Sequence, residues 1–261
     1  MKSISMFVLF VGLTARYPLA QQPGQASDDQ QQAKTSAEIA KEATENKEKQ
    51  ADRLKESKEV LKELLSGKTN IPHNLLQKAK CVVVIPSVKR LAFTFGVSYG
   101  RGAMTCRLGE NFNGPWSAPS MYALEGGNFG LQIGVQGTDL VLLVINERGV
   151  DSLLRSKIKL GGDVSVAAGP IGRQFQASTD LNLRAQILAY SRTRGVFAGI
   201  ALDGSTLRPD GSSNNALYGK ELTAKQIVRS GTVPVPHDAV PLIQLLTQSA
   251  SQGSVAETSP K

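Results

Sequence analysis

WSAPS at residues 116–120, EGGNFGLQIGVQGTDLVLLV at 125–144, LGGDVSVAAGPIGR at 160–173 and YSRTRGVFAGIALDG at 190–204 decide how this chain is read. Residues 116–204 contain no histidine and no cysteine. Their carboxylates, Glu125, Asp139, Glu147, Asp151, Asp163, Asp180 and Asp203, stand singly among glycines and β-branched residues. Short β-branched runs bounded by Gly and Pro predict strands, and glycine inside such a run marks a bend or a close backbone approach. An arginine recurs near the turns. A rigid glycine-rich sheet that offers backbone amides and cations to something large and anionic is a binding module before it is an enzyme.

Outward from this stretch, the pattern changes at both ends. Residues 21–32 are rich in Gln, Asp, Ser and Pro without an apolar period, which predicts a disordered linker. Residues 33–66 are charge-laced and helical in composition, with no Gly or Pro before Gly67. Ile39 is the only large aliphatic of the first half. Leu54, Leu61, Leu64 and Leu65, with Val60 beside them, recur at helical spacing and predict a docked apolar face. A short helix at 71–80 opens at Pro72. Strands are predicted at 81–85, closed by Pro86, and at 91–99 and 103–108, separated by a turn at Gly100 and Gly102. Further strands fall at 122–135 and 140–145, around Gly137-Thr138-Asp139. Strands at 164–168, 175–183, 185–192 and 196–202 follow a brief helix at 149–156. Helices return at 223–229 and 239–248.

That order is not the βαβ alternation of a parallel sheet. It predicts an α+β domain with a mostly antiparallel, strongly curved glycine-rich sheet and N- and C-terminal helices packed on it. The expected organisation is a signal peptide at 1–20, a linker and charged helix at 21–51, the domain at 52–248 and a disordered tail at 249–261. Lys2 is a short positive region, and residues 4–13 are an apolar core too short to span a bilayer. Ala20 suits a cleavage position, although Pro18 departs from the small residue preferred two positions earlier. Export is the reading taken, over a cytoplasmic protein with an apolar N-terminus.

The net charge of +8 is unevenly placed. Residues 28–66 carry a net −2, whereas 67–261 carry a net +8 from twenty Lys and Arg against twelve Asp and Glu. A basic exported domain points to lipid headgroups or another polyanion, with nucleic acid not expected there. The alternative is a basic surface kept for solubility. Cys81 and Cys106 lie in apolar runs on neighbouring strands; one disulfide and two buried thiols both fit them.

Catalytic patterns are weak. GVSYG at 96–100 matches G-x-S-x-G, but that motif needs a strand, a sharp turn and a helix. The RGAMTCRL that follows reads as strand, and the only downstream histidine is His237. A serine hydrolase is the distant alternative. His73 and His237 are the only histidines, and no cluster has metal-ligand spacing, so neither a metal nor a cofactor is expected. In GPIGR at 169–173 a Gly-Pro turn followed by Gly172 and Arg173 forms either an anion nest or an ordinary hairpin with a solvated arginine. The turns at Arg101, Arg192 and Arg194 have the same shape.

IPHNLLQKAKCVVVIPSVKR at 71–90, YGRGAMTCR at 99–107, WSAPS, the three glycine-rich blocks and Asn215-x-x-Tyr218-Gly219 together resemble the SYLF domain family, over residues 52–246. That family occurs in eukaryotic endocytic adaptors and in exported bacterial proteins. The resemblance implies a phospholipid-binding domain, with phosphoinositides favoured in eukaryotic members. It also implies actin-filament binding and bundling in some members, and an amphipathic helix before the glycine-rich region that contributes to membrane contact. The charges of residues 52–63 balance here, whereas a helix on an anionic membrane is normally basic. The resulting expectation is an exported, non-enzymatic domain, periplasmic or extracellular and peripherally membrane-associated. It would bind anionic phospholipid through Lys89, Arg90, Arg101, Arg173, Arg192 and Arg194. The alternative is a structural or protein-interaction module whose 33–66 helix recruits a partner.

Overall fold

The β-branched run that begins at Cys81 founds the central strand of the sheet. The computed structural model describes residues 25–66, 71–92, 96–128, 134–170, 185–193, 196–197, 202 and 204–257. Helices α1 (Gln25–Ser66) and α2 (His73–Lys78) precede strands β1 (Cys81–Ala92), β2 (Gly96–Cys106), β3 (Ser120–Asn128) and β4 (Gly134–Val144). Helix α3 (Glu147–Leu153) leads to β5 (Ile158–Lys159), β6 (Val166–Ala168), β7 (Ile187–Thr193), β8 (Val196–Phe197) and β9 (Thr206–Pro209). Helices α4 (Gly211–Tyr218), α5 (Ala224–Arg229) and α6 (Val240–Glu257) close the chain. Among the described residues these strands form one curved sheet, ordered β5-β9-β3-β2-β1-β4-β7-β6, with β8 on β7. Every pair is antiparallel except β6 with β7. Residues 1–42 and 43–261 are two compact units. Of the first, the helical residues 25–42 are described, with Ile39 exposed.

Both faces of the sheet are covered, as the alternation of side chains along a strand requires. Val82 and Val84 of β1 share one core with Leu54, Leu61, Leu64 and Leu65 of α1, Leu75 and Leu76 of α2, and Leu242 and Leu246 of α6. Cys81, Val83 and Ile85 share the other with Val150 and Leu153 of α3, Ile227 of α5 and the Phe112 loop. The predicted leucine stripe is therefore packed against the sheet, with each of its four members at most 5% exposed. Local signals fix the short helices. Asn146 accepts from Gly149 N at the start of α3, and Thr223 and Gln226 form a capping box on α5. Asp210 caps α4, and Gly219 ends it at φ 66.

The strand boundaries differ from the sequence reading in an instructive way. Pro86 does not end β1. The strand passes through it by a bulge that shifts the β4 register between Ile85 and Val88, and Ser87 takes φ 48. Gly100 and Gly102 are not a turn; they lie inside β2. A Cβ on Gly102 would stand 1.9 Å from the Val84 carbonyl oxygen, so glycine is there to let the strands approach at the bulge. Residues 137–139 likewise lie inside β4. Residues 25–32, read as linker, belong to α1, which contains no Gly or Pro, and α6 continues to Glu257 past the expected start of the tail. Strand β9 and helix α4 escaped the sequence reading, although Asp210 and Gly219 are the cap signals that bound α4. The strand expected at 175–183 lies outside the described residues.

Cys81 and Cys106 sit directly opposite each other on β1 and β2 and are joined as a disulfide. They close a loop with a sequence separation of 25, worth on the order of 3 kcal/mol in the chain-entropy model. Reduction, or Cys81→Ala with Cys106→Ala, is expected to lower urea stability by about that amount while leaving far-UV circular dichroism native. An unchanged unfolding midpoint would show that the sheet alone restrains these strands.

Candidate functional site

Alternation along β2 places Val97, Tyr99 and Arg101 on one face, with Ser98, Gly100 and Gly102 on the other. Val97 is 60% exposed and Tyr99 39%, the two large apolar side chains left open on the sheet among the described residues. Lys89 of β1 is directly opposite Tyr99 and is itself exposed. Glu125 of β3 flanks Tyr99 on its other side. Arg101 stacks on the Tyr99 ring at 5.5 Å, donates to its hydroxyl, and pairs with Asp210 at 3.3 Å. Arg208 is held by Glu125 at 2.6 Å. Four cations, Arg53, Lys89, Arg101 and Arg208, thus lie about Tyr99, against the carboxylates of Glu125 and Asp210.

The electrostatics of this patch follow from burial and crowding. Desolvation lowers the Arg53 guanidinium from its usual range, and the like charge of Arg101 adds to that. Arg53 is half-buried on α1, donates to the Gln50 side-chain carbonyl, and feels the charges of Arg101 and Asp210. Burial pushes Asp210 upward, but the hydroxyls of Ser213 and Ser212, the Ser213 N–H and the charge of Arg101 outweigh it, so the carboxyl lies below its ordinary value. The hydrogen bond to Glu125 raises Arg208. Two cations are balanced in place, while Lys89 and Arg53 form no ion pair among the described residues.

The expected anion-contact residues separate. Lys89 and Arg101 come together on this patch. Arg192 is drawn inward, where its guanidinium clasps Glu63 of α1 and, at 3.3 Å, Asp139 of β4. It serves to hold the helix on the sheet. The side chain of Arg90, and Arg173 and Arg194 altogether, lie outside the described residues. Of the GPIGR turn, Gly169 is described: a Cβ there would fall 2.1 Å from the Tyr190 ring, and the Tyr190 hydroxyl donates to the Pro170 carbonyl at 3.2 Å. That glycine makes room for a core aromatic. Val97 and Tyr99 were missed as site residues, because an exposed apolar side chain on a strand has the same sequence signature as a buried one.

The serine of G-x-S-x-G has no elbow. Ser98 is 4% exposed in mid-strand and donates to the Gly126 carbonyl at 3.3 Å. Among the described residues, no group of His, Cys, Asp and Glu is placed to hold a metal ion, and no helix is long and apolar enough to cross a membrane.

A curved sheet with both faces packed, which among the described residues carries a cationic patch with two open apolar side chains, is the frame of a binding module. Residues 125–249 match the family model Ysc84, described as Las17-binding protein actin regulator. The chain belongs to this Ysc84/SYLF domain family. It is similar to Protein YSC84 of Saccharomyces cerevisiae, 37% identical over 183 residues, which cover 69% of this chain and 38% of the relative. An SH3 domain-containing protein of Schizosaccharomyces pombe is 36% identical over 188 residues, 71% of this chain and 43% of that protein. The human SH3 domain-containing YSC84-like protein 1 is 33% identical over 177 residues, 67% of this chain and 50% of the relative. The chain thus spans about half or less of the length of these relatives.

Proposed function

We propose that this protein is a non-enzymatic binding module that docks on anionic phospholipid surfaces through the Val97–Tyr99 patch, and that it does so after export. The observation that carries the reading is the placement of two open apolar side chains beside Lys89, Arg101 and Arg53. Tyrosine with an aliphatic neighbour suits the interfacial zone of a bilayer, while cations near its surface contribute about 1 kcal/mol each. The stripe of α1 does not take part, since its leucines are packed on the sheet. The joined Cys81 and Cys106 support an oxidising compartment. A second reading, docking to a protein partner, is favoured by the family's description as Las17-binding protein actin regulator and by the relative LAS seventeen-binding protein 3.

Co-sedimentation with phosphatidylglycerol vesicles tests the proposal. The protein is expected to bind these and not neutral vesicles, with binding that falls steeply as salt rises. Lys89→Ala should weaken binding roughly fivefold, the equivalent of about 1 kcal/mol. Val97→Asp should abolish it with the melting temperature unchanged, because exposed substitutions shift stability by no more than about 0.5 kcal/mol. Equal binding to neutral vesicles, or full binding by Val97→Asp, would overturn the assignment.

A further inference from the structure

We propose that the end of the sheet remote from the Val97–Tyr99 patch is a second binding site, for a discrete acidic peptide segment of a partner protein. The register of β1 on β2 puts Lys89 opposite Tyr99 at one end and Cys81 opposite Cys106 at the other. Lys80 and Arg107 flank that disulfide, and Lys80 lies roughly 25–30 Å along the strand from Lys89.

Three cations stand on two rings at this end of the strands, Phe112 in the core on one face of the sheet and Trp116 in the core on the other. The Arg107 guanidinium lies 4.4 Å from the centroid of Trp116, and that of Arg229 lies 4.4 Å from the centroid of Phe112. The Lys80 ammonium stands 5.8 Å from Phe112 and donates to the Asn111 carbonyl. The backbone ties them together: Arg107 N donates to the Lys80 carbonyl at 2.8 Å, and Leu108 N to the Pro115 carbonyl at 2.8 Å. Phe112 holds φ 53, rare for a bulky side chain, and its ring is buried with both cations near it. Asp151 takes one edge of Arg229 at 3.2 Å, and Glu110 is exposed in the loop. Lys80 and Arg107 meet no carboxylate among the described residues.

Two buried donors at this end have no acceptor among the described residues, Arg107 Nε and Trp116 Nε1. Trp116 is only 4% exposed, and desolvation lowers the Arg107 guanidinium. Buried N–H groups are nearly always paired. Unpaired donors on two stacked groups point to an acceptor brought by a ligand. Arg107 Nη1 already donates to the Gly114 carbonyl at 3.3 Å, and a carboxylate, with two oxygens and about four lone-pair positions, suits the remaining donors. A bilayer does not fit as well. Both rings are buried, and among the described residues no large apolar side chain at this end is fully exposed to enter a membrane. The repeated carboxylates of an acidic segment match the spread of Lys80, Arg107 and Arg229 around one small loop.

Trp116 is the only tryptophan of the chain, so its emission reports on this site alone. Titration of the full chain with an octa-glutamate peptide is expected to change that emission saturably. Arg107→Gln and Arg229→Gln should each weaken binding about tenfold or more, since each removes a charge-assisted pair. Lys89→Ala should leave peptide binding unaltered, and Arg107→Gln should leave vesicle binding unaltered. If Arg107→Gln lowers the melting temperature, Arg229→Gln and Lys80→Gln decide the question. No saturable change, an equal loss with Lys89→Ala, or displacement of the peptide by phosphatidylglycerol vesicles would overturn the proposal, the last by making this end a second lipid contact.

Discussion

Leu61→Asp is expected to lower the melting temperature by about 10 °C or more, with a loss of at least about 4 kcal/mol. Leu61 is fully buried in the core that α1, α2 and α6 form on the sheet. The substitution removes an apolar side chain and places an unpaired carboxylate where no cation answers it. Against a total stability on the order of 10 kcal/mol, such a loss populates the unfolded chain visibly at moderate urea. Lys58→Ala is the control, because Lys58 is partly open to solvent at the edge of the stripe, paired with the neighbouring Glu59 at 2.9 Å, and its loss should shift melting little. Thermal scans of both variants separate a docked helix from a membrane-seeking one. A free amphipathic helix would lose vesicle binding with Leu61→Asp and keep its melting temperature.

Gly102→Ala carries the other large effect. The added Cβ would lie 1.9 Å from the Val84 carbonyl oxygen and 2.7 Å from the Ile85 Cα, both backbone atoms that no rotamer change moves aside. The β1–β2 pair must then part at the bulge, next to the centre of both cores. A cost of at least about 3 kcal/mol is expected, at the top of the range for overpacked sites. Gly137→Ala is the matched control, on β4 across β1, with nothing within 4 Å of its Cβ, and it should stay within about 0.5 kcal/mol. Equal unfolding midpoints for the two variants would show that the bulge relaxes around an added methyl group.

The contrast between these two glycines shows where sequence reading stops. Gly100 and Gly102 read as a turn because glycine between β-branched runs most often marks one. Here the chain stays extended and glycine answers an approach from another strand, a contact that no local window contains. Pro86 misled in the same manner: without a donor it ought to end a strand in mid-sheet, yet the bulge at Ile85–Val88 leaves its missing N–H without consequence. At the patch, Lys89 and Arg101 were legible as cations near turns. Arg192 carried the same signal, but its clasp with Glu63 and Asp139 depends on residues distant from it in sequence.

By itself the sequence determined the class of the fold, because periodicity of two and periodicity of 3.6 are local properties of side-chain spacing. It determined that α1 has a leucine stripe, that the charge resides after residue 67, and that GVSYG lacks the helix an elbow requires. Only the tertiary structure decided which apolar side chains stay in water. Val97 and Tyr99 differ from Val83 and Met104 not in type or spacing but in whether a helix lies over them. It also joined Cys81 to Cys106, which local pattern left open between a bond and two buried thiols, since strand register is set by the packing of the whole sheet. Burial is a property of the assembled layers, and the candidate sites are the places where those layers leave a charge or a ring uncovered.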